Sequence, residues 1–322
     1  MNLLIVSFLI LALQYGLVHS NASCNCNSPK CVVVAEDWDQ KDEFLQLIED
    51  ELASHPLPAA YYPGVEKRWK TFSDEYPDAK KIDSNTGMGV IERKLCAGGL
   101  NEKPLLLPFL KVETEVNLDS PGGKENASKE FIFKTEPFAP IYAIVTLQGT
   151  SQDDLMKFSK TSAVFCNDYL FGTLSGTITT PDSLLDDEGV QTLIADMKYG
   201  SITVNNWSGF GYLLANAGMW GAFPGETLDD VRSGIGKIGN VLAIPYFEKF
   251  VVVSPITHMN HASLKKDLKK EEKINYAVTK FLLDESMGNL IRLIGASMGV
   301  DLVNVVLFCT SVAVASYAVF YG

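Results

Sequence analysis

The segment KTEPFAPIYAIVTLQGTSQDDLMKFSK, residues 134–160, limits the fold more than any other. It reads as a turn, a strand over Ile141–Leu147, and then a helix with Ser151 at its N-cap and acids in its first turn. The same succession recurs along the chain. CVVV (Cys31–Val34) reads as a short buried strand, and the next helical pattern puts Phe44, Leu45, Ile48 and Leu52 on one face. GTLSGTITT has the β-branched character of a strand. DDEGVQTLIADMKYG is amphipathic through Val190, Leu193, Ile194 and Met197, with Gly200 as the expected C-cap. SITVN and KFVVVSP read as further strands. Strands alternating with helices of this length predict an α/β fold with a mostly parallel sheet.

Composition narrows the function. The chain has 322 residues, 47% of them hydrophobic, and a formal net charge of -12. An acidic surface argues against a nucleic-acid partner, which would need a basic stripe. Six cysteines in a chain this long do not make a disulfide scaffold.

Two segments read as membrane or targeting sequences. Residues 3–13, LLIVSFLILAL, form an apolar run followed by small residues, as in a signal peptide or anchor, although no Lys or Arg precedes the run. Leu302–Gly322 carries no charge over 21 residues, enough to span a bilayer core of about 30 Å as a helix. The expected organisation is a signal or anchor segment over 1–20, a catalytic-type α/β domain over 21–258, a charged linker and helix over 259–300, and a transmembrane helix over 301–322. Localisation at a membrane follows from this reading. SLKKDLKKEEK (Ser263–Lys273) reads as a solvated helix or linker.

Few motifs carry chemistry on their own. No P-loop, H-E-x-x-H or G-x-S-x-G occurs, and SGIGKIGN (Ser233–Asn240) reads as a turn more readily than as a phosphate cradle. His258 and His261 lack an acidic third ligand nearby and read as surface residues, so no metal site is expected. Sequons stand at Asn21, Asn126 and Asn206, with Asn126 in a Gly-, Lys- and Ser-rich loop. SNASCNCNSPKCVVV (Ser20–Val34) holds Cys24, Cys26 and Cys31. On residue types alone it admits a disulfide, three metal-binding thiolates, or one reactive thiol.

Several pieces, taken in order, resemble the catalytic half of an aldehyde dehydrogenase. Glu136-Pro137-Phe138-Ala139-Pro140 before a strand resembles that family's Glu-x-Phe-Gly-Pro segment, with Ala139 in place of glycine. Asn167 and Gly172 match an Asn-x-x-x-Tyr-Gly-Leu stretch, and Gly200 and Asn205 match a Gly-x-Val-x-Val-Asn segment. Gly225, Ser233, Gly234 and Gly236 match a late glycine-rich loop. YYPG and WGAFPG resemble segments of a divergent, longer subgroup.

The resemblance implies an aldehyde dehydrogenase-like catalytic domain in which Cys26 is the nucleophile, with Lys30 the basic residue before the strand. It also implies that Glu136 binds the nicotinamide ribose and Phe138 packs near the ring of NAD or NADP. The implied chemistry is oxidation of a small-molecule aldehyde to an acid through a cysteine thioester. A homodimer is implied as well. In that family the cofactor domain, a general-base glutamate and an oxyanion-stabilising asparagine precede the nucleophile, and about 25 residues precede Cys26 here. The chain is therefore expected to be a shortened form of such an enzyme. The alternative is a non-catalytic, membrane-anchored protein that keeps the catalytic-domain fold.

Overall fold

The computed structural model describes residues 23–54, 60, 62–84, 106–242, 246–255 and 268–298. The chain divides into two compact units, Met1–His258 and Met259–Gly322.

In the first unit the strands are β1 (Cys31–Ala35), β2 (Lys80–Ile82), β3 (Phe109–Val116), β4 (Ile141–Leu147), β5 (Ser175–Ile178), β6 (Ser201–Val204), β7 (Met219–Gly221), β8 (Lys237–Gly239) and β9 (Phe250–Val253). Its helices are α1 (Lys41–Ala53), α2 (Val65–Glu75), α3 (Gly123–Lys129), α4 (Phe131–Lys134), α5 (Leu155–Asp168), α6 (Glu188–Asp196) and α7 (Gly209–Leu213). One sheet has the order β1-β4-β3-β2. Its first three strands are parallel, with Val33 opposite Val145 and Val112 opposite Ala143, and β2 runs antiparallel at the edge. A second sheet, β5-β6-β9, is parallel throughout, and β7 pairs with β8 as an antiparallel ribbon.

Strand β4 shows why this chain folds as it does. Successive side chains of a strand point to opposite faces, and IYAIVTL is apolar on both. Tyr142 and Ile144 pack with Phe44, Ile48 and Leu52 of α1, while Ile141, Ala143, Val145 and Leu147 pack with Phe72 of α2 and Phe165 of α5. A strand covered on both faces belongs in the middle of a parallel sheet. Burying each large apolar side chain contributes roughly 1.5–3 kcal/mol. In the second sheet Ile178, Ile202 and Val204 share a core with Met197 and Tyr199.

Four local expectations need correction. The helix after β4 begins at Leu155, and its cap is Asp154, whose side chain accepts from the Lys157 N–H, rather than Ser151. Helix α6 ends at Asp196 with an extended Met197, so Gly200 is not its C-cap. A Cβ on Gly200 would lie 1.8 Å from the Gly221 carbonyl oxygen, and close backbone approach is what this position requires. Residues 123–129 form a helix rather than a loop, with Ala127 buried in the core and Glu125 paired to Lys129 one turn on. Cys31–Val34 forms a strand, but Cys31, Val32 and Val33 are only partly buried.

The second unit contains two described helices, α8 (Leu268–Leu283) and α9 (Met287–Met298). The Asn289 amide ties the turn between them, donating to the Asp284 carbonyl at 2.9 Å and accepting from Arg292 Nη1 at 2.7 Å. Among the described residues no helix is long and apolar enough to cross a membrane. The segments 1–20 and 301–322, to which the signal and anchor expectations attach, lie outside the described residues, as do Asn21, His258 and His261.

Candidate active site

The thiol loop runs from Ser23 to Lys30 and enters the sheet at β1. Ser23 takes a positive φ of 63°, and the Asn25 side chain accepts from the Asn27 N–H at 2.8 Å, closing a tight turn. Lys30 fixes both ends. Its carbonyl accepts from the Ala143 N–H of β4 at 2.8 Å, and its ammonium reaches back to donate to the Ser23 carbonyl at 2.6 Å. Trp207, in the connection after β6, braces the loop by donating from Nε1 to the Asn27 carbonyl at 2.9 Å.

The two cysteines of the loop differ sharply. Cys26 is exposed, and its sulfur accepts a long contact of 3.7 Å from Asn27 Nδ2. Cys24 is 2% exposed, packed with Val65 and Leu107, and its Sγ donates to the Phe138 carbonyl at 3.3 Å. Cys26, Cys31 and Cys166 are free thiols. Among the described residues no cluster of His, Cys, Asp and Glu could hold a metal ion.

The Glu136–Phe138 segment, just ahead of β4, meets this loop. Lys30 Nζ stands 3.8 Å from Glu136 Oε1 and 5.8 Å from the centre of the Phe138 ring. Phe138 has φ +41°, unusual for a non-glycine residue. Arg68 of α2 holds its carbonyl from Nε at 3.2 Å and Nη2 at 3.1 Å, and lies 5.9 Å from its ring centre. Tyr62 meets the same ring edge-on, with centroids 5.9 Å apart. The structure thus brings the thiol loop against Glu136 and Phe138, with Lys30 beside both and Cys24 the loop thiol that contacts Phe138.

Arg68, Tyr62 and Trp207 were not anticipated as site residues. The only trace of the first two was YYPG, which ends at Gly64, the left-handed residue that starts α2.

Electrostatics at the site is set by desolvation. Cys26 is exposed as a residue, yet protein atoms around its sulfur push the thiol above its ordinary value. The Glu136 carboxylate adds to that rise, while the backbone N–H groups of Cys26 and Asn27 and the Lys30 ammonium oppose it. Burial also raises the Cys24 thiol, against Lys30 and Arg68. Burial lowers Lys30 to about 8, and Glu136 works against this. Glu136 is raised by desolvation around its carboxyl, opposed by Lys30 and the Phe138 N–H.

The remaining matched positions serve the fold. Asn205, at φ +56°, accepts from the Thr180 N–H at 2.9 Å, and Asn167 bridges the Asp196 carbonyl and the Lys198 N–H. In the glycine-rich loop, Glu226 Oε2 accepts from the N–H groups of Arg232, Ser233 and Gly234 at 2.8, 2.7 and 3.0 Å. The chain's own carboxylate therefore occupies the donors that a phosphate would want.

Solved structures similar to this chain include aldehyde dehydrogenases. NADP-dependent glyceraldehyde-3-phosphate dehydrogenase from Bacillus halodurans C-125, complexed with NADP, is 14% identical, with a TM-score of 0.42 over 63% of this chain and 36% of that one. Aldehyde dehydrogenase from Bartonella henselae is 14% identical, with a TM-score of 0.41 over 62% of this chain and 36% of that one. Succinic semialdehyde dehydrogenase from Streptococcus pyogenes, in complex with NADP+, is 16% identical, with a TM-score of 0.38 over 62% of this chain and 38% of that one. The matched part is little more than a third of each of those proteins. Likeness at this level carries no argument about what the chain does. No family model matches the sequence, and no curated protein does.

Proposed function

We propose that this chain carries an aldehyde dehydrogenase-type site that oxidises a small-molecule aldehyde to an acid through Cys26. The observation that supports the reading is the meeting of the thiol loop with Glu136 and Phe138, bridged by Lys30 3.8 Å from the Glu136 carboxylate.

The residues present suit the nicotinamide end of a dinucleotide. Glu136 is 43% exposed and offers acceptor oxygens to ribose hydroxyls, and the half-buried Phe138 offers a flat ring edge beside it. When bound, NAD or NADP supplies the acceptor for the hydride that leaves the aldehyde carbon.

The chain's own residues do the rest. The exposed Cys26 thiol gives up its proton to solvent water and its sulfur bonds to the aldehyde carbon, so that the C=O π pair moves to the oxygen as an alkoxide. Asn27 Nδ2, 3.7 Å from the sulfur, is a side-chain donor close to where that negative charge develops. After oxidation the acyl group is held on Cys26 as a thioester. Water adds to its carbonyl, the C–S bond breaks, and the sulfur recovers a proton as the acid leaves. Lys30 and Trp207 hold the loop still throughout.

Membrane association through Leu302–Gly322 belongs to the same proposal, and flotation of the full chain with lipid vesicles tests it. The activity is tested by absorbance of reduced nicotinamide from the purified full chain with a panel of aldehydes and either cofactor. Turnover that disappears in Cys26→Ala is the expected result. No turnover above the blank with any aldehyde would favour a non-catalytic protein that keeps the fold.

A further inference from the structure

We propose that Lys30 is the positioning residue of this site: its ammonium ties the thiol loop to the Glu136 carboxylate and so governs the reactivity of the Cys26 thiol. The inference rests on reading Cys26 as the reactive group, and it adds a control that the proposed reaction does not itself contain.

Geometry carries the argument. Lys30 is the last residue before β1, and its backbone is locked to β4 through the Ala143 N–H. Its side chain is 17% exposed and turns back into the loop, donating to the Ser23 carbonyl at 2.6 Å. From the same position it faces Glu136 Oε1 at 3.8 Å. One ammonium therefore spans the loop and pins it to the segment before β4.

The charged and titratable groups around Lys30 are Glu136 from that segment, Cys24 and Cys26 from its own loop, and Arg68 from α2. Glu136 disfavours a thiolate at Cys26, and Lys30 favours one. Without Lys30, only the backbone N–H groups of Cys26 and Asn27 would oppose the carboxylate.

Burial brings the Lys30 ammonium down to about 8, so its charge changes close to where thiols ionise. Its help to Cys26 is present below that value and fades above it. Cys26 and Lys30 therefore titrate as a coupled pair, and thiol reactivity should climb with pH more shallowly than one ionisation predicts.

The test is the rate of iodoacetamide alkylation at Cys26, followed by peptide mass spectrometry on the full chain from about pH 6 to about pH 10. Lys30→Gln is expected to slow alkylation near pH 7, where the ammonium is charged, by about twofold. Lys30→Arg is expected to keep the rate and turn the profile into a single ionisation, because a guanidinium does not titrate in this range. Adding Glu136→Gln to Lys30→Gln is expected to restore most of the rate. A merely structural lysine would leave the shape of the profile unchanged in the arginine variant. The proposal is overturned by a Lys30→Gln chain that reacts at the wild-type rate at every pH, or by a double variant as slow as the single one. Should circular dichroism show Lys30→Gln to be unfolded, Glu136→Gln alone decides. Faster alkylation, by about threefold, supports the coupling, and an unchanged rate overturns it. Alkylation needs neither aldehyde nor nicotinamide, so loss of the enzymatic reading and loss of this one are separate results.

Discussion

The guanidinium of Arg68 holds the backbone carbonyl of Phe138 through two hydrogen bonds, from Nε at 3.2 Å and Nη2 at 3.1 Å. Phe138 sits at φ +41°, a conformation that needs support from its surroundings. Hydrogen bonds from a charged donor are worth about 1.5–3 kcal/mol. Arg68 is half-buried, so Arg68→Met is expected to lower stability by about 1–2 kcal/mol in urea unfolding. Lysine presents a point charge rather than a fork, and Arg68→Lys should recover less than half of that loss. Full recovery by lysine would mean that charge alone, and not the paired geometry, supports Phe138.

Glu49 of α1 is the most heavily committed carboxylate of the first sheet. Its side chain is 8% exposed and pairs with Lys111 of β3 and Lys80 of β2, while Lys111 also pairs with Glu113. Removing Lys111 leaves the buried Glu49 with only the exposed Lys80, so Lys111→Met is expected to cost about 2 kcal/mol. The pH dependence follows from two shifts. Burial raises Glu49, but hydrogen bonds from Lys111 and Lys80 outweigh it, and the carboxyl ends below its ordinary 4.5. Its contribution is present above that value and is lost as pH falls through the lower, folded one. Burial lowers Lys111, but Glu113 and Glu49 outweigh it, and the ammonium ends above its ordinary 10.5. Its contribution is complete below 10.5 and is lost as pH rises through the folded value. Denaturation midpoints across pH should show this plateau narrowing at both ends in wild type and flattening in a Glu49→Gln, Lys111→Met double variant.

The same network explains what the sequence hid. FLKVETEV has Lys111, Glu113 and Glu115 among its apolar residues, a pattern that does not announce a buried strand, yet it forms the interior strand β3. A lysine in a core strand is legible only once its partner on α1 is known, and Glu49 lies 62 residues away. By contrast Ile141–Leu147 was read to the residue, because apolar side chains on both faces of a strand are a local signal. At the candidate site, ordered motif resemblance points to Cys26, Glu136 and Phe138, and what the structure adds is that Lys30 of the thiol loop lies beside Glu136 and Phe138. Arg68 is not legible in this way, because its role is to grip a carbonyl 70 residues on, and nothing in its own neighbourhood announces that. Gly200 is ambiguous in sequence, since helix ends and close backbone approaches both select glycine, and here it is the close approach that requires it.

That correction can be checked directly. A Cβ at Gly200 would lie 1.8 Å from the Gly221 oxygen and 2.6 Å from the Ala222 carbonyl carbon, both backbone atoms. Gly200→Ala is expected to cost about 3 kcal/mol or to block folding. Gly176 is the control: a Cβ there would meet the mobile end of Met197 at 2.8 Å, and Gly176→Ala should cost about 1 kcal/mol at most. Similar melting temperatures for the two variants would contradict the close-approach reading of Gly200.

The four described thiols should also separate by reactivity. Cys26 is exposed, Cys24 is 2% exposed, and Cys31 and Cys166 lie against the core. Burial, with Cys166 alongside, holds Cys31 well above an ordinary thiol, and burial pushes Cys166 up to about 12. A thiol reacts as its thiolate and only when a reagent can reach it. A neutral maleimide at pH 7.5, read by peptide mapping, is therefore expected to label Cys26 within minutes. The other three should react only through local opening, at least about tenfold more slowly, and all four should react together in denaturant. Native labelling of Cys24 at the rate of Cys26 would show that the loop opens around its buried side. The hydrogen bond from Cys24 Sγ to the Phe138 carbonyl could not then be what closes it.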